Sequence, residues 1–458
     1  MKKIILSVLV LSLVTSSCQN KFDEYAVNPN SPETASAALL LSATEVSTFA
    51  TFGGEQSRIA SVLVQQTAGN QFQYQTYGQY IITEADIVNQ WSAIYNGPIV
   101  SGRTLLDRYG EGNPYYSGMA QVLMALNFGL ATDFWGDVPF TEAGQALSGN
   151  FQPKYDSQET VIQGIQSLLD QAIANLSQPQ TANTFLPGED DIIFKGNTAA
   201  WINAAWIIKA RYANRLSQID PAGSATQALA DLSHVSADQP DMNAVFYDYA
   251  GNFNQWYEFL AVRANYIKMG QYFVNYLQST SDPRLPYLVA KDEAGGYSGL
   301  PPEESDNSAA SDPGPAVASA DSPTPIATYA EAKFIEAEAQ LRLGKADAAA
   351  TAYNEAVSAS VQRITGSAIP AAFQQSTASA TAATVSLEQI INQKYVALFS
   401  SPEPYNDWRR TGFPRLQANQ QSQRKAIPLR FPTSQNERNY NRNATVVSDI
   451  YQPVWWDK

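Results

Sequence analysis

The sequence predicts an all-α fold assembled from helix pairs, and three observations predict it. Apolar residues recur at three- and four-residue spacings along most of the chain instead of alternating, which is helical periodicity. Hydrophobic residues make up 44% and aromatics 11% of the 458 residues, ample for a large core and incompatible with wholesale disorder. One stretch, residues 330–361, reads as two helices joined at Gly344, with small residues facing each other across the joint.

The elements follow in order. From Ile87, apolar residues fall at Trp91, Ile94 and Tyr95, then at Leu105 and Leu106. Asp156 stands three before Glu159, the spacing of a capping box. After it Val161, Ile162, Ile165, Leu168, Leu169, Ala172, Ile173 and Leu176 form one stripe. A further helix carries Trp201, Ala204, Ala205, Ile208 and Tyr212; others are predicted over Ala330–Gly344, Lys345–Val361 and Leu387–Phe399. In the 330–361 pair, Ala337, Ala349 and Ala356 let two helices approach while Tyr353 fills the groove. That spacing resembles a tetratricopeptide unit, although no strict 34-residue repeat recurs. Segments 301–327, 364–386 and 402–445 are rich in Pro, Ser, Ala or Thr and are expected to be irregular. None reads as a linker between self-sufficient halves, so one domain over 18–458 is expected.

Charge and rare residues exclude several functions. Lys and Arg number 29 against 43 Asp and Glu, a formal charge of −14, which argues against nucleic acid as a partner. One Cys and one His leave no disulfide framework and no Cys/His metal cluster, and exclude nearly all Ser-His or Cys-His catalysis. The Cys has a better explanation. Lys2 and Lys3, the apolar run Ile4–Val14 and Thr15-Ser16-Ser17-Cys18 have the layout of a secretory signal over residues 1–17. Cys18 at the cut site resembles a bacterial lipobox, which implies an acyl anchor on Cys18; plain secretion is the alternative. No later stretch reaches the ~20 apolar residues that span a bilayer.

A family resemblance rests on motifs spread over nearly the whole chain. They begin with Phe22-Asp23-Glu24, Asn28-Pro29-Asn30-Ser31-Pro32 and Trp91-Ser92-Ala93-Ile94-Tyr95. The runs from Thr132 to Ala143 and Asp191 to Phe194 come next, then Asp282-Pro283-Arg284-Leu285 and Gly296-Tyr297-Ser298-Gly299. The C-terminal set is Gln393-Lys394-Tyr395, Trp408-Arg409-Arg410-Thr411-Gly412-Phe413-Pro414, Pro432-Thr433-Ser434 and Asn439-Tyr440. In this order they resemble SusD/RagB-type nutrient-binding outer-membrane lipoproteins of the SusD-like branch, from Bacteroidetes. The resemblance implies helix pairs of tetratricopeptide type and partnership with a SusC-like TonB-dependent transporter. It also implies capture of oligosaccharide or, in some relatives, peptide. Asp23-Glu24 soon after the Cys is similar to an acidic signal for the cell surface.

A saccharide site needs aromatic faces for stacking and amides for hydroxyls. Residues 59–83 hold no charged group, and within them Asn70, Phe72, Tyr74 and Tyr77 are candidate ligand contacts on an expected loop. A second cluster around Gly251 offers Asn254, Trp256 and Tyr257, and the Gly-rich 294–299 loop offers Tyr297. Packing against neighbouring helices is the competing reading for each. Trp91, Trp135, Trp455 and Trp456 are expected to be structural, Trp408 to Arg410 to pack and pair with carboxylates, and His234 to lie on the surface. Asp190-Asp191 and Asp133/Asp137 lack the spaced-oxygen loop of a calcium site, so no metal or cofactor is expected. G-x-S-x-G, H-E-x-x-H and phosphate-loop motifs are absent, which favours a binder over an enzyme; a protein-interaction role is the remaining alternative.

Overall fold

The computed structural model describes residues 35–458. The signal segment, Cys18 and the motifs read between Phe22 and Pro32 lie outside the described residues. The chain opens with α1 (Ala37–Gly53), α2 (Glu55–Leu63), β1 (Thr67–Gly69), α3 (Phe72–Gly78), α4 (Val88–Ile94) and α5 (Val100–Tyr109). Next come α6 (Pro114–Trp135), α7 (Gln158–Leu176), α8 (Thr198–Arg215), α9 (Pro221–Leu232) and β2 (Met242–Ala244). A middle section holds α10 (Gln255–Val262), β3 (Ile267–Met269), α11 (Gln271–Ser279), α12 (Leu285–Leu288), α13 (Pro315–Ala318) and β4 (Thr324–Ala327). The last part is α14 (Tyr329–Arg342), α15 (Ala346–Thr365), α16 (Ala371–Thr377), α17 (Leu387–Ala397), α18 (Glu403–Thr411) and α19 (Gln435–Tyr440). Two short antiparallel ribbons, β1 with β3 and β2 with β4, tie distant loops together.

Packing runs through the pairs α6–α7, α8–α9 and α14–α15. Helix α6 is buried at every residue from Tyr116 to Trp135, so it is the central rod, apolar enough to need no solvent face. Gly129 on it is required: a Cβ there would sit 1.7 Å from the Tyr212 hydroxyl of α8. The pair α14–α15 forms as the sequence predicts. Ala337, Ala349, Tyr353 and Ala356 are buried together, and Gly344 makes the turn at φ +72°.

Two expectations need correction. Asp156 is not the cap of α7. Ser157 takes that place and accepts from Thr160 N–H at 3.2 Å, while Asp156 accepts from Phe140 and Thr141 N–H and fixes the preceding turn. The 402–445 segment is also less irregular than its prolines suggest. Pro404 sits in the first turn of α18, where its missing N–H would be unpaired in any helix, so Trp408-Arg409-Arg410 is helical. Likewise α16 lies within 364–386.

Buried charge joins these helices. Arg215 on α8 bonds Asp133 of α6 at 3.0 Å and Glu403 of α18 at 2.7 Å. Arg211 bonds Glu331 of α14 at 2.7 Å. Arg410 bonds Glu338 and, at 2.8 Å, Asp407, which also takes Lys394 of α17 at 2.9 Å. Burial would raise the Asp407 carboxyl, but Lys394 and Arg410 outweigh it and hold the group well below its ordinary value. Asp133 goes the other way: burial, partly offset by Arg215, pushes it up to about 6. Trp135 donates to Pro432 C=O at 2.9 Å, and buried Trp456 lies under Arg409, so both tryptophans pin the C-terminal chain.

Candidate functional site

The 66–80 stretch is not a free loop. Strand β1 pairs with β3, and Asn70 then straps three segments together. Its amide donates to Asn265 C=O at 2.8 Å, and its side-chain oxygen accepts from Asn307 N–H at 2.8 Å. Gln71 and Gln75, which follow it, hold Asp306 and Ser305 at 2.5 and 2.8 Å. Asn70 is fully buried by these duties, so its expected contact with a ligand is replaced by a structural one.

Phe72 follows at φ +53°, a left-handed backbone that bulky residues rarely adopt. Its side chain is 66% exposed and stacks on Tyr266, centroids 4.6 Å apart and planes 26° off parallel. Tyr266 meets Phe259 edge-on at 6.0 Å, Phe259 meets Tyr74 at 5.1 Å, and Tyr74 meets Tyr77 at 5.3 Å. The row therefore descends from an exposed ring to two buried ones. Tyr74 is its foundation; Tyr77 is buried too but lines the cleft beside the row. Burial pushes the Tyr74 hydroxyl up to about 12 against the pull of Arg58, which donates to it at 3.0 Å. Burial raises Tyr77 as well, helped by Glu55 and Asp86, so both phenols remain protonated.

Beside the row lies a cleft of about 320 Å³ lined by Glu55, Arg58, Gln73, Tyr77, Asp86, Asn89, Phe259 and Arg263. Such a volume is at the lower end for small-ligand sites. The Arg58 guanidinium lies 4.3 Å over the Phe259 ring. Gln73 donates to Glu55 at 3.0 Å, which leaves the Gln73 carbonyl oxygen as an acceptor. Burial raises the Glu55 carboxyl, with Arg58 and Arg263 opposing. Arg263 leans over Tyr266 at 5.6 Å, and Asn89 is exposed at the edge. Planar donors, amides and carboxylate acceptors around a ring are what a polyhydroxylated ligand requires.

The other expected contacts are dispersed. Trp256 is fully buried and meets Phe399 edge-on at 5.9 Å, so it has no face to offer; this corrects its reading as a loop platform. Asn254 is also buried, as the cap of α10: its oxygen accepts from Trp256 and Tyr257 N–H, and its amide donates to Ser322 C=O. Tyr257 is half-buried against Phe253, and Tyr297 is tethered through its carbonyl to Gln278; neither lines the cleft. His234 is exposed and stacks on Trp206 at 4.2 Å. Among the described residues, no cluster of three or more His, Cys, Asp or Glu is placed to hold a metal.

Sequence reasoning missed Glu55, Arg58, Phe259, Arg263 and Tyr266. A charge-free stretch marks a saccharide site only by its uncharged groups, and Arg58 stands one residue before that stretch begins. Phe259 lay within the second aromatic cluster, where a helix face shared with Arg263 at i+4 was the available signal.

Helix pairs carrying an aromatic row and a polar cleft on their connecting segments define a helical ligand-binding protein. The chain belongs to the SusD-like family: the family model described as "Starch-binding associating with outer membrane" matches residues 29–432. No curated protein sequence matches it. Similar solved structures include a SusD/RagB family protein from Bacteroides thetaiotaomicron, 23% identical over 93% of this chain and 99% of that one, at TM-score 0.77. A chitin-binding protein is 22% identical over 92% and 100% of the two chains, at TM-score 0.80. A chitin-binding SusD homolog from Flavobacterium johnsoniae is 18% identical over 91% and 98%, at TM-score 0.77. At these identities the likeness establishes the fold. Among the described residues no helix is long and apolar enough to cross a membrane.

Proposed function

We propose that the protein captures oligosaccharide at the cleft beside Phe72 and hands it to a TonB-dependent outer-membrane transporter. The observation that carries this reading is Phe72 itself, an exposed ring held in a strained backbone state at the outer end of an aromatic row whose member Phe259 lines the amide- and guanidinium-bearing cleft. Strain of this kind persists where surrounding structure enforces it, and here the Asn70 strap does so. The two chitin-binding relatives support a glycan over a peptide, which is the second reading. The protein binds and does not hydrolyse. Cys18 carries the lipid that holds residues 18–458, acting as one unit, at the outer face of the outer membrane.

Titration with chito- and malto-oligosaccharides tests the site. Stacking contributes ~1 kcal/mol, so Phe72→Ala weakens binding by about five- to tenfold. Unchanged affinity in that variant removes the site; hydrolysed sugar removes the binder reading. The partnership is tested by crosslinking intact cells, which yields a complex with a large β-barrel; recovery of monomer alone refutes it.

A further inference from the structure

Most buried arginines of the fold meet a carboxylate or an aromatic ring; Arg430, which donates to the Phe431 and Trp135 carbonyls, is an exception, and Arg363 is a half-buried second one. Arg211, Arg215, Arg284 and Arg410 have carboxylates, and Arg409 lies against the rings of Tyr405 and Trp456. Arg363, in the last turn of α15, has neither. It lines a cleft of about 510 Å³ bounded by α13, β4, α15 and the end of α17. Its Nη2 donates to Ala397 C=O at 2.5 Å, while its Nε is closed off from solvent and has no acceptor. Asp241, the acid that acts on it most, lies beyond ion-pair distance and accepts from Tyr329 N–H at 2.8 Å instead. Burial accordingly holds the Arg363 pKa below its ordinary value.

The lining holds one acid, Asp321, which is exposed to solvent and makes no ion pair with Arg363; the rest suits a planar anion with an apolar flank. Leu288 and Phe399 supply apolar surface, and Pro315, Pro323 and Pro325 add rigid walls without N–H groups. Ser319 and Ser400 also line this space. A half-buried cation with one donor left unpaired gains from a negative group that reaches it. A guanidinium fork matches a carboxylate in shape. With a net charge of −14, the protein as a whole repels anions, so binding must rely on this local cation.

We propose that this cleft is a second binding site, distinct from the Phe72 cleft, that takes a ligand carboxylate on Arg363. A hexuronate residue of an acidic glycan and the C-terminus of a peptide both present that group. The test uses the detergent-purified full chain and calorimetric titration with trigalacturonate, tetra-alanine, tetra-alanine amide and maltotriose. One or both of the acid probes bind, and the amide and maltotriose do not compete for this cleft. Arg363→Gln weakens the acid probe at least tenfold, and Phe72→Ala leaves it unchanged. A tighter trigalacturonate arm identifies acidic glycan, and a tighter tetra-alanine arm identifies peptide. Arg363→Lys, which keeps charge but loses the fork, weakens binding severalfold and serves if the Gln variant does not fold. Failure of both acid probes to bind wild-type protein overturns the proposal, as does equal acid binding in the substituted protein.

Discussion

The buried ionic lattice and the Phe72 cleft use the same residue types to opposite ends. In the lattice, Arg211, Arg215 and Arg410 are shut away from water with Glu331, Asp133, Glu403, Glu338 and Asp407, and the guanidinium groups meet carboxylates from helices far apart in sequence. In the cleft, Arg58 lies on a ring and bonds a phenol, Arg263 leans on another ring, and Glu55 holds an amide. The first arrangement leaves little for a ligand to bond. The second leaves donors and acceptors unspent. What separates structural charge from binding charge here is the partner each group already has, and neither type nor burial alone decides it.

The largest effect expected from testing this contrast is in the core. Trp256→Ala costs ~3–5 kcal/mol for a core cavity, with affinity retained. A stable variant with weakened binding would return Trp256 to the ligand face. The lattice comes next. Arg410→Ala takes the shared cation from Glu338 and Asp407 and leaves them only Arg342 and Lys394, which costs ~3 kcal/mol and is read from a denaturant melt. Oligosaccharide affinity of the folded fraction stays as it was; a loss of affinity would show that the two regions are coupled.

Glu45 sharpens the comparison because it is a buried acid without a cation. Burial first, then the charge of Asp191, pushes it up to about 10. Its folded pKa exceeds its unfolded one, so its contribution to stability is present below about 4.5 and is lost as pH rises toward about 10. Glu45→Gln therefore gains in melting temperature relative to wild type between pH 5 and pH 9. A constant difference across that range would mean the carboxyl is already ionised. The smallest effect on stability belongs to Phe72→Ala, within ~0.5 kcal/mol because the ring is exposed. A large drop in melting temperature there would recast the platform as core.

Much of the fold was legible because helix packing leaves local marks. The stripe from Val161 to Leu176 and the Ala337–Ala356 pair appear in the sequence as they do in space. The motif residues around Asp133, Lys394, Arg409 and Arg410 were legible too, and they turned out to hold the helices together. The site was less so. Phe72 could be picked out as an aromatic among amides, but nothing local says that Tyr266 lies under it. Trp256 was misread because Gly251 and its Asn neighbours suggested a loop, whereas Asn254 caps a helix that turns the indole inward. Aromatic stretches tell where rings are plentiful; the long-range pairing of β1 with β3 decides which of them reach solvent.

The Asn70 strap has a consequence for where the platform stands. Asn70, Gln71 and Gln75 set the platform against residues 305–307, more than 200 positions downstream in a segment with little regular structure. Loop segments tolerate insertion and substitution far better than packed helices. A one-residue change in the length of that segment would tilt α3 and move Phe72 relative to the cleft while every cleft-lining side chain stayed the same. The placing of Phe72 is thus set in part by a remote, irregular segment of the chain.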